Sequence, residues 1–491
     1  MSELKSEIDS LISGNRFYTQ YAEQWQYLLV SYLGGVDYRQ AELLHKYQME
    51  TNSEYNNRLH ATPLDNHCSS VVQVYNSFLF REPPTRNLNS LSDNPDVESF
   101  LQDADLDGRS LNAFMSDVST WSSVFGHCWL IVSKPEIGAL TRADEIAAGV
   151  RPYVSLLTPL SVLDWHWARR PSGRYELDYF RYVEDINGSI QTIKEWTNEE
   201  IKTYVVDVEK GLSEETFIES NGLGRIPAVI AYNGRSMIRG IGVSDINDIA
   251  DAQKLIYNLQ SEVEQSVRLD SHPSLVTTPD TQIGTGPGSL IHINENLEPG
   301  LKPYLLEFSG ASVASILQTI QHVTDSIDKM ANTGAVRATE ARTLSGVAMQ
   351  TEFQLLNARL SEKANALELA EEQLWKLFCE YQDQDFVVEI DYPGSFSIQD
   401  TGNQFQQLKT AKETAQDPQV HSIIDQRLWE LLGEDPDNFN SEVHPVTTSA
   451  NRSEHLQTMI MDGYEDSQIL AIHSEISQAD IDQTKNDLLV G

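Results

Sequence analysis

Apolar positions along this chain recur with two different periods, and the changes of period divide it into regions. Up to about residue 80 the period is helical. Tyr18, Tyr21, Trp25, Leu28, Leu29 and Tyr32 recur at helical spacing, and Gly34-Gly35 ends that segment. A second helical pattern runs through Leu59, Leu64, Val71, Val72, Tyr75, Phe78 and Leu79 and stops at Pro83-Pro84. The aromatic residues here are expected in a packed core. The polar stretch from Asn87 to Asp96 predicts a linker. From Leu111 to about Tyr232 the pattern turns α+β, with strands expected at 129–132, 153–157, 177–183, 189–196, 202–208 and 227–232. Pro171-Ser172-Gly173 and Asn187-Gly188 predict turns, the second a hairpin. Trp165-His166-Trp167 reads as an aromatic packing cluster.

The second half is dominated by long helical stripes. Ile246, Ile249, Gln253, Ile256, Leu259, Val263 and Val267 mark one face of a helix. Ser244 is its expected N-cap, Asp245 and Asp248 favour its start, Arg268 favours its end, and His272-Pro273 stops it. Residues 271–309 read as short strands and turns, with Gly284, Gly286 and Gly288 closely spaced beside apolar Leu290, Ile291, Ile293 and Leu297. A returning helix carries Ile316, Ile320, Val323, Ile327 and Met330, and Asn332-Thr333-Gly334 breaks it. The longest helix is expected from about Ser345 to Tyr381, a span of roughly 55 Å at 1.5 Å per residue. A strand from Phe386 to Asp391 and helices near 401–416 and 420–432 follow. Residues 434–491 hold twelve acids and two bases and predict a loosely attached tail with short helices.

Length and composition bound these elements. At 491 residues the chain exceeds one compact core, and about 150 residues per domain predicts about three. An apolar fraction of 40% and an aromatic fraction of 9% mark an ordered protein. No apolar run is long enough to predict a membrane span, and the charged N-terminus does not read as a secretory signal. Cys68, Cys128 and Cys379 are scattered, as expected of buried thiols in a reducing compartment. His67-Cys68 and His127-Cys128 read as packing pairs, because a metal site needs converging ligands. Charge is more telling. Seventy-three acids against 35 bases give −38, with no Lys/Arg cluster of the kind that grips phosphates. DNA would slide past such a protein and not be held.

The chain has no Gly-x4-Gly-Lys-Ser/Thr loop, no His-Glu-x-x-His, no Gly-x-Ser-x-Gly and no EF-hand loop. Gly240-Ile241-Gly242 and Gly284–Gly288 read as turns, and Glu371-Glu372 as a pair on a solvated helix face. No catalytic residue, metal or cofactor is expected, and a structural role is favoured.

The order of elements over residues 241–382 resembles the portal proteins of tailed bacteriophages. Helix, small strand-and-turn module, returning helix, polar loop and very long helix look like that family's stem, clip, stem, tunnel loop and spine. Gly310-Ala-Ser-Val-Ala-Ser-Ile-Leu-Gln resembles the start of its returning stem helix, and Ser345-Gly-Val-Ala-Met-Gln-Thr-Glu-Phe its spine start. Glu54-Tyr55, Arg58-Leu59 and Phe80-Arg81-Glu82-Pro83 resemble its N-terminal wing. The implied fold is mixed α+β and helix-rich: a wing over 1–241, antiparallel stem helices at 242–270 and 310–331, and a small β clip at 271–309. A tunnel loop at 332–344, a spine helix and wing strand at 345–400, and a helical crown with an acidic tail at 401–491 complete it. The resemblance implies a subunit of a homo-oligomeric ring, expected to hold twelve copies, at one capsid vertex of the virion, assembled in the host cytoplasm. Implied partners are the terminase large subunit, a head-completion adaptor, the major capsid protein and scaffold, and transiting double-stranded DNA bound without sequence specificity; no membrane is implied. Stem packing would fall to Ile246, Ile249, Ile256, Leu259, Ile316, Ile320, Val323 and Ile327. Clip docking would use Gly284, Gly286, Gly288, Leu290 and Ile293, and the channel constriction Val336, Arg337, Glu340 and Arg342. Two other readings stay open: a different oligomeric head-to-tail connector, and an acidic cytoplasmic enzyme.

Overall fold

The computed structural model describes residues 11–135, 148–210, 212–271, 274–276, 282–283, 291–292, 304–306, 311–337, 346–394 and a few isolated positions besides. The chain forms two compact units, Met1–Ser397 and Ile398–Gly491. Almost all described residues belong to the first, so the helices and tail expected beyond residue 400 lie outside them.

The fold is mixed helix and sheet. Helix α1 (Arg16–Leu33) starts where the Asn15 side chain accepts from the Phe17 N–H, and it ends at Gly34, whose φ of +67° suits glycine. A short α2 (Gly35–Gln40) follows. The single helical pattern expected over 59–79 is two helices, α3 (Asn52–Ala61) and α4 (His67–Leu79). Pro63 explains the break: Thr62 before it is extended, and Asn66 then caps the new helix by accepting from Ser69 N–H. Helix α3 has its own reciprocal cap between Thr51 and Glu54. The expected linker at 87–96 is partly ordered, with strand β1 (Thr85–Asn87), a 3₁₀ turn (Asn89–Leu91) and helix α5 (Pro95–Gln102) capped by Asn94.

Helix α6 (Leu111–Phe125) leads through Gly126 into two antiparallel sheets. The smaller has the order β3-β2-β9, from β2 (His127–Ser133), β3 (Tyr153–Leu157) and β9 (Ala228–Tyr232). The larger is a meander of β4 (Val162–Arg169), β5 (Tyr175–Asn187), β6 (Ile190–Thr197), β7 (Glu200–Asp207) and β8 (Leu212–Ser220), in that order. Strand β4 was hidden in the Trp165-His166-Trp167 cluster. Its alternation is clear in place: Trp165 is buried, and His166 is exposed and paired with Asp178. The turns at Gly173 and Gly188 both have positive φ.

Two long helices follow, α7 (Asn247–Ser271) and α8 (Ala311–Met330). Between them β10 (Ser274–Val276) pairs antiparallel with β13 (Tyr304–Leu306), and β11 (Gln282–Ile283) with β12 (Ile291–His292). A one-turn helix α9 (Gly334–Arg337) precedes α10 (Gly346–Tyr381). The strand expected from Phe386 is only β14 (Glu389–Asp391), because its partner β1 offers three residues after Pro83-Pro84. Phe386 and Val387 pack against the core instead.

One core joins the N-terminal helices, both sheets and α10. Trp25, Val72, Phe100, Phe114, Trp129, Phe180, Leu374, Trp375 and Phe378 all belong to it and are almost wholly buried. Trp129 lies 4.7 Å from Phe180, ring to ring, which joins the two sheets face to face. Cys68, Cys128 and Cys379 are free and buried, and burial raises all three thiols, Cys379 to about 11.

Candidate channel wall and its anchors

The paired helices α7 and α8 are the candidate site. Along α7, Ile246, Ile249 and Ile256 are almost fully buried, Leu259 and Val263 are half-buried, and Val267 is 48% exposed. On its partner Ile327 is buried and Ile320 nearly so, Val323 and Ile316 are half-buried, and Leu317 and Met330 are 48% and 45% exposed. The α7 stripe is therefore covered where it joins the body and uncovered toward the far end, and the α8 stripe is covered only in part. A single subunit does not bury the whole of either.

The root of α7 is held by polar contacts. Gln253, fully buried on the apolar stripe, accepts from Cys68 N–H at 2.9 Å and donates to the Ser31 carbonyl at 3.0 Å. It thereby satisfies an orphan donor at the start of α4. Arg58 on α3, buried, pairs with Glu50 at 2.7 Å and donates to the Ser261 hydroxyl of α7 at 3.0 Å.

Asp245 does more than favour a helix start. Its carboxylate is buried between Lys363 and Arg359 of α10, each at 2.6 Å. Lys363 also donates to Ser123 of α6 at 2.8 Å and to Asn233, which follows β9. Asn233 in turn donates to Asp245 at 2.9 Å. Burial alone would raise the Asp245 carboxyl, but the two cations outweigh it and hold the group below its ordinary range. Ser244 is tied to the Val124 carbonyl at 2.7 Å and accepts from Ile246 N–H.

Glu371 overturns the expectation of a solvated face. It is fully buried and holds Arg86 by two contacts, at 2.5 and 3.1 Å. Tyr392 and Trp375 also donate to it. Glu372 keeps to the surface and pairs with Lys376. Neither Lys363 nor Glu371 was recognised from sequence. The signal was present, since both fall within the stripe Leu356, Leu360, Leu367, Leu374 and Phe378 at helical spacing.

The segment after α8 is anchored, not loose. Tyr75 donates to the Ala331 carbonyl at 2.6 Å, Thr333 is buried, and Thr333 N–H donates back to Asp328. Arg337, expected at the channel surface, lies 2.9 Å from Asp328 and 2.8 Å from His67 of its own chain. Burial, then the Arg337 charge, lowers the His67 pKa. Val336 is exposed. Glu340 and Arg342 lie outside the described residues, as do Gly284, Gly286, Gly288, Leu290 and Ile293.

The way α7 leaves the body depends on two glycines. Gly126 has φ of +88°, and a Cβ on Gly242 would come within 1.9 Å of the Gly126 carbonyl oxygen. Backbone therefore meets backbone where α6 ends and the approach to α7 begins. Beside them, fully buried His127 accepts from Gly242 N–H at Nδ1 and contacts the Tyr18 hydroxyl at 2.7 Å through Nε2. Tyr18 also accepts from the Trp129 indole and donates to the Gly240 carbonyl. Burial lowers the His127 pKa to about 3.

No curated protein matches the chain. Among solved structures it is similar to the neck of an empty gene transfer agent particle computed with C6 symmetry. That match has a TM-score of 0.44 and 11% identity over 77% of this chain and 95% of the other. It is also similar to a chain of the virion of a native gene transfer agent particle, with a TM-score of 0.40 and 12% identity over 73% and 89%. The family model for "Phage portal protein, SPP1 Gp6-like" matches residues 18–416, most of the chain, and the protein belongs to that family.

Proposed function

We propose that this portal-family chain is one subunit of a closed ring, expected to hold twelve copies, that sits at one capsid vertex and passes duplex DNA in packaging and ejection. The observation that carries the reading is the incomplete burial of the α7 and α8 stripes, α7 being covered at the body and uncovered at the far end. Neighbouring copies would cover the apolar flank and complete a wall of helices. The wall would be acidic, with six acids and two bases over residues 243–270. A surface of that sign offers phosphates no counterion-release gain, so duplex slides.

In this reading residues 271–309 form the clip that engages the terminase large subunit and the head-completion adaptor, and other surfaces meet major capsid protein and scaffold. Residues 332–344 line the constriction, with Val336, Glu340 and Arg342 toward the channel and Arg337 as the strut that fixes the loop's root. The test is imaging and mass measurement of the purified full chain. Rings with a central hole are expected; a monomer at micromolar concentration under every salt condition overturns the reading. Shortening Gly284–Gly288 is then expected to impair adaptor or terminase engagement with the ring intact.

A further inference from the structure

Residues 165–175 and 222–244 are an island of opposite sign in an acidic chain. They contain Arg169, Arg170, Arg174, Arg225, Arg235 and Arg239 and no Asp or Glu, against −38 overall. The fold gathers Arg174, Arg225, Arg235 and Arg239, with Glu176 among them, around one open groove of about 600 Å³ that also holds exposed Met237 and half-buried Ile238. The Arg239 guanidinium lies 3.9 Å from the Tyr175 ring centroid, and that of Arg235 5.4 Å from Tyr232. Stacking of this kind fixes the planar group and leaves its N–H edge to a carboxylate. Arg225 is paired with Glu380 at 2.6 Å. Arg174, Arg235 and Arg239 have no carboxylate partner among the described residues.

The complement lies on the same molecule at the opposite edge of the five-stranded sheet. The groove is beside the β4–β5 turn, and β8 closes the other edge, four strand spacings or roughly 19 Å away. Residues 197–220 carry Glu199, Glu200, Asp207, Glu209, Glu214, Glu215 and Glu219 against Lys202 and Lys210. On β8 itself Phe217 is 58% and Ile218 54% exposed. An edge strand left unpaired is a pairing template that folded proteins normally cover.

We propose that the arginine groove receives strand β8 of a second copy of this chain, with Phe217 against Met237 and Ile238 and the strand's glutamates against Arg174, Arg235 and Arg239, while Ile218, the next residue of the strand, faces the other way. The inference rests on the ring reading and deepens it. Groove and strand are different surfaces, so the contact is heterologous and propagates from copy to copy until the ring closes. A nucleic acid would also meet arginines and aromatic rings. Exposed Met237 beside the arginines, and a glutamate-bearing strand with exposed Phe217 on the same molecule, favour the protein partner.

The test compares full-length variants by mass photometry and negative-stain imaging. The triple variant Arg174→Glu, Arg235→Glu, Arg239→Glu is expected to need at least about tenfold more protein to form rings, from like charges placed opposite each other. Glu214→Lys, Glu215→Lys, Glu219→Lys is expected to do the same, and all six changes in one chain to restore assembly. Phe217→Ser, which leaves every charge in place, is expected to weaken assembly while the circular dichroism stays that of the parent. If the parent forms rings and the charge variants form them equally well, the groove–strand contact is wrong and the ring reading stands. If the six-change chain stays apart, the pairing of these two surfaces is wrong. Rings that form normally in the arginine variant but no longer retain a short DNA duplex held by the parent would make the groove a nucleic-acid site and overturn the proposal. A parent that never forms rings fails the ring reading itself.

Discussion

His127 shows how one buried side chain sets a pH limit. It is neutral in the fold because Nδ1 accepts from Gly242 N–H, and a proton there would set donor against donor. Its folded pKa is depressed to about 3 from 6.5. Below pH 6.5 the unfolded chain takes up a proton that the folded chain refuses, so stability is full above that pH and falls as pH drops. The slope is up to about 1.4 kcal/mol per pH unit between 6.5 and 4.5. Urea unfolding across that window is expected to show this slope in the parent and a flatter one in His127→Gln. Equal slopes would mean that His127 does not carry the effect. Single residues were also the hardest scale to read in sequence. His127 was recognised only as a packing residue, and Arg337 was placed at the channel surface because nothing local reveals Asp328 and His67 as its partners. Those partners come from distant elements.

Elements were more legible than their contacts. Periodicity alone located α1, α7, α8 and α10, because each keeps a stripe over several turns. It missed the break at Pro63, since apolar residues continue on both sides, and it missed β4, where three aromatic and imidazole rings obscured an alternation of period two. Within α10 it misjudged Lys363 and Glu371, which sit in the apolar stripe and are compensated by partners on other elements. Lys363 ties α10 to α6, to the end of β9 and to the root of α7. Replacing Lys363 with Met is expected to cost about 3 kcal/mol, because Asp245 then keeps one cation, Arg359, in place of two, and Ser123 and Asn233 lose the lysine donor. Thermal or urea unfolding checks this, with Asp245→Asn in the same chain as the control. The double change is expected to cost less than the sum of the singles, and strict additivity would show that the two residues act independently.

At the scale of the whole molecule, charge governs association. In the proposed ring twelve copies at −38 would carry 12 × −38 = −456 formal charges, and every contact between copies would form against that repulsion. Added salt screens long-range repulsion, with a Debye length of about 8 Å at 0.15 M. Short contacts between opposite charges are weakened by the same salt. Ring formation is therefore expected to rise from low to moderate ionic strength, where long-range repulsion dominates, and to flatten or fall at high salt, where specific ion pairs are screened. Sedimentation velocity across a salt series measures both limbs. A monotonic rise to molar salt would mean that apolar contact alone holds the copies together.

The meeting of Gly126 and Gly242 has a consequence for ring geometry. Helix α7 springs from this point and runs 25 residues, about 37 Å, so it acts as a lever: a tilt of about 5° at the root moves the tip by about 3 Å. Because all copies in a ring share one sequence, a substitution here would not produce a stray subunit. It would impose the same tilt on every wall helix at once, as blades turn together in an iris. With backbone atoms where either Cβ would have to stand, these two positions would set the bore of the proposed channel from the roots of its wall helices.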